Sequence, residues 1–277
     1  MYFEKNDFKI QQAEFSVKRI SCREPIMKTI GLIGGMSWES SIEYYRIINE
    51  RAKTILGGLH SAKSIMFSVD FAEIEALQLE GRWDEAARVL VSAAGSLEMA
   101  GADFVVLCTN TMHKLADDIE RGITIPFLHI ADATARAIEE RNLKSVGLLG
   151  TRFTMEEDFY RGRLEKSFGL KVIVPGDAAR DILHHVIYDE LCVGLVKADS
   201  RMQFRGIMEG LVDAGAEGII LGCTEMGLLV KEGDCRVPLF DTARIHAEAA
   251  VDYAIFQGGE SGEKEGRRTR RRKTGAA

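Results

Sequence analysis

Two short stretches carry residue types that can move protons. LCTNTMH runs from Leu107 to His113 and GCTE from Gly222 to Glu225, each at the end of an apolar run. The first offers Cys108 and Thr109 side by side; the second offers Cys223 followed by Thr224 and Glu225. A thiol, with an ordinary pKa near ~8.5, can be tuned toward the working pH as acid or base, whereas a hydroxyl is far less acidic. Spacing decides between Cys108 and Thr109. AGADFVVLCTNT answers to AGAEGIILGCTE: Thr109 lies eight residues beyond Gly101 and Cys223 eight beyond Gly215, which leaves Cys108 opposite Gly222. Thr109 and Cys223 are therefore the paired positions.

The same correspondence runs further along the chain. IGLIGG near residue 30 answers to VGLLGT near 146, and IPFLHIADA to VPLFDTARI, in the same order. This is an internal duplication, so the elements that position the two motifs should themselves be repeated. Strand candidates are TIGLIGG, SIMFSVD, DFVVLC, IPFLHI, SVGLLG, KVIVPG, EGIILGC and VPLFD. Their continuous apolar character fits parallel strands covered on both faces. Helix-like segments lie between them, among them WDEAARVLVSAAGSLEMAG, ADATARAIEERN and RMQFRGIMEGLVDAG. The fold class is α/β, with two similar lobes of mainly parallel sheet. Lobe 1 is expected over 27–127 plus 239–257 and lobe 2 over 128–238. Ligands of parallel sheets bind outside the carboxyl ends of the strands, so TNT and CTE should face a cleft between the lobes. The helix starts there present free N–H groups that suit a carboxylate or an oxyanion.

Composition bounds the rest. A chain of 277 residues with 46% hydrophobic content buries one sizeable core or two smaller ones. Cys22, Cys108, Cys192, Cys223 and Cys235 form no CxxC pair and no zinc-type spacing, so reduced thiols, a cytoplasmic setting and no metal are expected. No apolar run approaches a membrane span and no signal peptide is evident, so no membrane partner is expected. Residues 1–26, with mixed charge and no sustained period, read as a disordered N-terminal extension before MKTIGLIGG. Residues 258–277, with RRTRRRK, read as a basic disordered tail. The tail has no aromatic residues interleaved to stack on bases, and nucleic acid is not expected as a partner.

The stretches MKTIGLIGGMSWESS, LCTNTMH, GTRFTMEEDFYRGRL and GCTEMGLLV, taken together, resemble the cofactor-independent aspartate/glutamate racemase family. They are similar to its branch of bacterial L-aspartate/glutamate-specific and broad-specificity amino-acid racemases, and the resemblance runs from Met27 to about Ile255. It implies two α/β lobes related by pseudo-twofold symmetry, no PLP or other cofactor, an acidic amino acid as substrate and a homodimer. It also implies a catalytic cysteine from each lobe on opposite faces of the substrate α-carbon. Here the family's CNT becomes TNT, so Thr109 stands where a thiol is expected and Cys223 keeps the other position. Inverting a stereocentre needs one group to take the α-proton and another to return one to the opposite face. Thr109 could donate a proton to a basic carbanion, directly or through water, and would be a poor initial base.

Other residues carry a functional and a plain reading. The resemblance puts Met36 and Gln78 at the substrate, although a methionine there could simply pack and a mid-helix glutamine is ordinarily solvated. Asn110, Thr111 and Thr224, with nearby N–H groups, are placed to stabilise developing negative charge. Glu225 could bind the α-ammonium or cap the following helix. Gly150 and Thr151 could touch the substrate carboxylate or form a simple turn. His113 could tune Thr109 or be a satisfied structural histidine. Cys22, Cys108, Cys192 and Cys235 are expected to stand outside the chemistry. A side-chain carboxylate needs a cationic or donating partner, for which Arg51, His60, Gln78 and Lys197 are candidates.

GLIGG fails as a dinucleotide fingerprint because its spacing is GxxGG, not GxGxxG. No GxSxG elbow, Walker lysine motif or Schiff-base lysine signature is present. An amino-acid racemase is the leading expectation. Enolate chemistry on the same scaffold (hydantoin racemisation, maleate isomerisation or arylmalonate decarboxylation) and a two-lobed amino-acid-binding protein without turnover are the alternatives.

Overall fold

A computed structural model describes residues 27–256; the N-terminal extension, Cys22 and the basic tail expected from the sequence lie outside them. The first half runs β1 (Ile30–Gly34), α1 (Trp38–Leu56), β2 (Ser64–Ser68), α2 (Phe71–Leu79), α3 (Trp83–Met99), β3 (Phe104–Leu107), α4 (Ala116–Gly122) and β4 (Phe127–Leu128). Helix α5 (Ile130–Glu140) leads into the second half. There follow β5 (Ser145–Gly150), α6 (Arg152–Glu156), α7 (Asp158–Phe168), β6 (Lys171–Ile173), α8 (Asp177–Asp189), α9 (Ala198–Asp213), β7 (Gly218–Gly222), α10 (Met226–Leu229) and β8 (Leu239–Asp241). Helix α11 (Thr242–Phe256) closes the described chain. All eight strands fall within the segments picked out by apolar character.

The two sheets have one topology. Their orders are β2-β1-β3-β4 and β6-β5-β7-β8, and every pairing is parallel. The duplication is visible at single residues too. Gly101 and Gly215, at the turns into β3 and β7, adopt φ of 93° and 98°, a left-handed region that a side chain disfavours. In β1 a Cβ on Gly31 would stand 2.9 Å from Ala102 Cβ, and in β5 one on Gly147 would stand 2.6 Å from Ile219 Cδ1. Glycine at those equivalent places lets the strand lie close to its neighbours.

Each sheet is covered on both faces, as the continuous apolar strands require. One face of the first sheet packs Ile30, Leu32, Phe104, Val106 and Cys108 against Tyr44 and Ile48 of α1 and Ala247 and Val251 of α11. The other packs Ile33, Val105 and Leu107 against Leu90, Ala94 and Leu97 of α3. The second sheet shares one core with α5, α7, α8 and α9, centred on Leu148, Ile220, Tyr160 and Phe204. Burying each such large side chain contributes roughly 1.5–3 kcal/mol.

The lobe limits differ from the sequence segmentation at two crossings: Leu128, read with lobe 2, pairs with Val106 in the first sheet, and the last strand also changes lobe. Leu239–Asp241, read with lobe 1, pairs in register with Ile219–Leu221 of β7 and so completes the second sheet. Parallel pairing of a fourth strand satisfies the open edge of β7, just as β4 does for β3. The chain returns to the first lobe only through α11, which packs on α1 and α5. Strand β4 is only two residues long because His129 ends it: its Nδ1 accepts from Ala131 N at 3.1 Å and caps α5.

Candidate active site

The carboxyl ends of β1, β3, β5 and β7 converge between the lobes, where the turn after each strand delivers polar side chains. Ser37 caps α1 by accepting from Ser40 N, and Thr151 caps α6 by accepting from Thr154 N. Both lie just beyond the glycine turns that the repeat aligns. Gly35 has φ of 94°, and a Cβ there would meet Val69 O at 2.2 Å, so the turn before Ser37 depends on glycine.

One cavity collects most of the residues expected from sequence. Met36, Gln78, Thr109, Asn110 and Thr111 border it from the first lobe, and Thr151, Cys223, Thr224 and Glu225 from the second. Phe71, Ile187, Tyr188, Cys192 and Gly222 complete the wall. Gly150 lies just outside the wall. Of the four candidates for a side-chain carboxylate only Gln78 is present. Arg51 is paired with Asp252 at 3.0 Å on the α1–α11 face, Lys197 is paired with Glu190 at 3.1 Å, and His60 is exposed.

Glu225 is the hub of the second-lobe side. Its Oε1 accepts from Ser37 Oγ at 2.8 Å and from Ser37 N at 3.4 Å, across the cleft. Its Oε2 accepts from Thr224 Oγ1 at 2.9 Å and from Cys223 Sγ at 3.0 Å. The carboxylate makes no capping bond to α10, which removes the plain reading of this residue. Burial, and then the neighbouring Glu225 carboxylate, push the Cys223 thiol well above its ordinary range, so in this closed state it holds its proton.

The first-lobe side is held from behind. His113 Nε2 accepts from Ile130 N at 3.2 Å, which leaves the proton on Nδ1, and Nδ1–H donates to Thr109 O at 2.7 Å. One neutral imidazole thus ties the Thr109 turn to the start of α5, and burial first holds it neutral by lowering its pKa. His113 is the satisfied structural histidine. Cys108 has no exposure and points into the core with Tyr44 and Phe104, where burial raises its pKa.

Four details depart from the sequence reading. Thr224 already donates to Glu225, and Asn110 Nδ2 already donates to Thr242 Oγ1 at 3.0 Å, so neither offers that proton to a developing anion. Thr111 and Thr151 share a hydrogen bond of 3.0 Å between the lobes. Cys192, expected outside the chemistry, borders the cavity because the short turn Leu191–Val193 after α8 folds toward α10. Gln78 is buried, not solvated: Nε2 lies 2.8 Å from Met112 Sδ and Oε1 accepts from Tyr188 OH at 3.1 Å.

Several contacts close the lobes onto each other. Besides Ser37–Glu225, Thr111–Thr151 and Gln78–Tyr188, Lys114 pairs with Glu157 at 2.6 Å and Trp83 meets Phe153 edge-on at 5.4 Å. The remaining cavity is about 20 Å³, room for one water. An amino acid enters only when the lobes part. Among the described residues no cluster of His, Cys, Asp and Glu has the arrangement of a metal site.

The Asp/Glu/Hydantoin racemase family matches residues 33–250. A crystal structure of a candidate Asp/Glu racemase from Yersinia pestis is 56% identical, covers 83% of this chain and all of its own, and superposes with a TM-score of 0.78. An aspartate racemase homologue from Pyrococcus horikoshii is 37% identical over 82% of this chain and 99% of its own, with a TM-score of 0.72. The broad specificity amino-acid racemase RacX of Bacillus subtilis is 25% identical over 63% of this chain and 75% of its own length.

Proposed function

The chain belongs to the Asp/Glu/hydantoin racemase family, and we propose that it interconverts the L- and D-forms of acidic amino acids by removing and returning the α-proton without PLP. The observation that carries this reading is that Thr109 and Cys223, at equivalent strand ends of duplicated lobes, border one closed cavity.

The chemistry follows from the groups in place. Glu225 takes the thiol proton along the Sγ–Oε2 hydrogen bond of 3.0 Å, and Cys223 takes the α-proton of the L-enantiomer. The electron pair left on the α-carbon delocalises into the substrate carboxylate as an enediolate. Free backbone N–H groups at the cleft-side turns, with the hydroxyls of Thr111 and Thr151, stabilise it. A proton then reaches the opposite face from the Thr109 side, relayed through water. Closure of the lobes excludes bulk solvent, which would otherwise compete for the carbanion.

Solvent deuterium exchange at the α-carbon of L-glutamate and L-aspartate tests this. A racemase exchanges that proton; a decarboxylase acting on a malonate has no such requirement, and a binding protein leaves it untouched. Cys223→Ala should abolish exchange while the protein stays folded. Exchange retained in that variant would remove Cys223 from the reaction, and no exchange in the wild type would end the racemase reading.

A further inference from the structure

One side of the first lobe is left apolar and open. On α1, Trp38, Ile42 and Tyr45 are 62%, 53% and 55% exposed and share a face with Asn49, at helical spacing. No charged residue interrupts that stripe. Two contacts fix where it looks. Asn49 Oδ1 accepts from Ala62 N at 3.1 Å, just ahead of β2. Ser41 of α1 and Met66 of β2 lie together, since a Cβ on Gly34 would meet Ser41 Oγ at 2.7 Å and Met66 Sδ at 3.4 Å. The side of α1 toward α11 is taken by Tyr44, bonded to His246, and by Arg51, paired with Asp252. The stripe therefore faces sideways, over β2.

Strand β2 is the edge of the first sheet, and among the described residues it pairs with β1 alone. Ile30 N donates to Lys63 O and Val69 N to Gly34 O, so the odd-numbered positions bond β1 while Ser64, Met66 and Ser68 turn N–H and C=O outward. Edge strands are ordinarily shielded by shortness, charge or proline. The equivalent edge of the second lobe has all three: β6 is three residues long, opens on exposed Lys171 and runs into Pro175. In contrast, β2 has the sequence SIMFS, with neither charge nor proline, and Met66 and Phe67 are 38% and 40% exposed. With the α1 stripe these side chains leave roughly 500 Å² of apolar surface in one patch. That is more than half of the ~800 Å² that each partner of a standard interface buries, and the open strand edge adds to it.

An open strand edge is complementary to itself: turned about a twofold axis, the same donors and acceptors meet in antiparallel pairing. Resemblance to the family implies a homodimer and names no face for it. We propose that this face takes a second copy of the chain, whose β2 pairs antiparallel with β2 about a twofold axis at Met66. Met66 then exchanges both backbone hydrogen bonds with Met66 of the second copy, Ser64 stands opposite Ser68, and the two first-lobe sheets join into one. Trp38, Ile42 and Tyr45 pack on their equivalents across the axis. Both elements belong to the first lobe, so this pairing leaves each second lobe free to move when the cleft opens.

Sedimentation velocity and hydrogen–deuterium exchange on the full chain test this. Wild type at micromolar concentration should sediment as a dimer. Tyr45→Glu and Met66→Lys should each weaken association about tenfold or more, with the circular dichroism spectrum unchanged. Exchange at the Met66 amide should be about tenfold slower or more in wild type than in Tyr45→Glu, which leaves the strand sequence intact. A monomeric wild type would overturn the proposal, and if its Met66 amide were still protected, residues 1–26, which join the chain at Met27 beside Lys63, would be the occupant instead. A dimer that neither substitution weakens, or one that protects Lys171–Ile173 and not Met66, would put the interface on another face and overturn it as well.

Discussion

Ser37 Oγ on the first lobe donates to Glu225 Oε1 on the second at 2.8 Å, while the other oxygen of that carboxylate accepts from Cys223 Sγ at 3.0 Å. Contact between the lobes and the protonation state of the thiol therefore meet on one side chain. Burial is the larger cause of the raised Cys223 pKa and the Glu225 charge the next. A raised thiol pKa means that thiolate appears only as pH climbs above the ordinary range. Glu225→Gln removes the charge and should move ionisation to lower pH. Alkylation of Cys223 by iodoacetamide, followed on its own peptide by mass spectrometry across pH, measures this without turnover. A midpoint that stays put or rises in Glu225→Gln would show that the carboxylate does not govern the thiol.

Thr109 opposite Cys223 predicts kinetic asymmetry. Deprotonation should be fast for the enantiomer whose α-proton faces the thiol and slow for its mirror image. Equilibrium is not displaced, because enantiomers have equal free energy, so unequal catalytic constants must be matched by unequal Michaelis constants. Thr109→Cys should raise turnover of the slow enantiomer about tenfold or more, within the range of a general base. Equal catalytic constants in wild type, unaltered by Thr109→Cys, would refute the asymmetry.

Cys108 supplies the matching control, since its side chain packs in the core of the first lobe and is fully buried. Cys108→Ala should cost about 1 kcal/mol of stability through lost packing and leave both directions of turnover near wild type. Loss of activity in a folded Cys108→Ala protein would place the chemistry one residue earlier than the repeat indicates.

How much of this was legible in the chain depended on whether the signal was local. The strands were, because each is a short apolar run between turns. The equivalence of Thr109 and Cys223 was too, because the turns at Gly101 and Gly215 require the same left-handed conformation and so preserve a countable landmark. The Ser37–Glu225 bond joins residues 188 apart, and no pattern in either segment announces it. Tyr188 and Cys192 were missed for the same reason: a helix end and the turn after it reach the cavity through tertiary approach alone. Asn110 is read from sequence as a donor to a developing anion, and Thr242, the partner that engages its amide N–H, lies 132 residues away, where no local pattern announces it.

Behind the Thr109 turn, three buried histidines predict how the fold responds to acid. His113 stands 4.5 Å from His129 and 5.9 Å from His246, measured between ring centres. His246 Nε2–H donates to Leu128 O at 2.8 Å and Nδ1 accepts from Tyr44 OH at 3.0 Å, so all three rings tie the core together in neutral form. Burial is the first cause of their lowered pKa values, with His129 brought down to about 3 and His246 to about 4. For His129 the nearby Arg163 adds to burial and Asp132 opposes it. The unfolded chain protonates these rings near pH ~6.5 and the folded one does not, so their contribution is complete above that pH and is lost as pH falls below it. Each ring should cost about 1.4 kcal/mol per pH unit, so unfolding in urea at pH 7.5 and 5.5 should show a loss of about 4 kcal/mol. His129→Asn keeps an acceptor to cap α5 and removes one titrating ring, so it should lessen that loss by about a third. Stability that is flat between those pH values, or a slope unchanged in His129→Asn, would mean that the cluster does not carry the acid sensitivity of the fold.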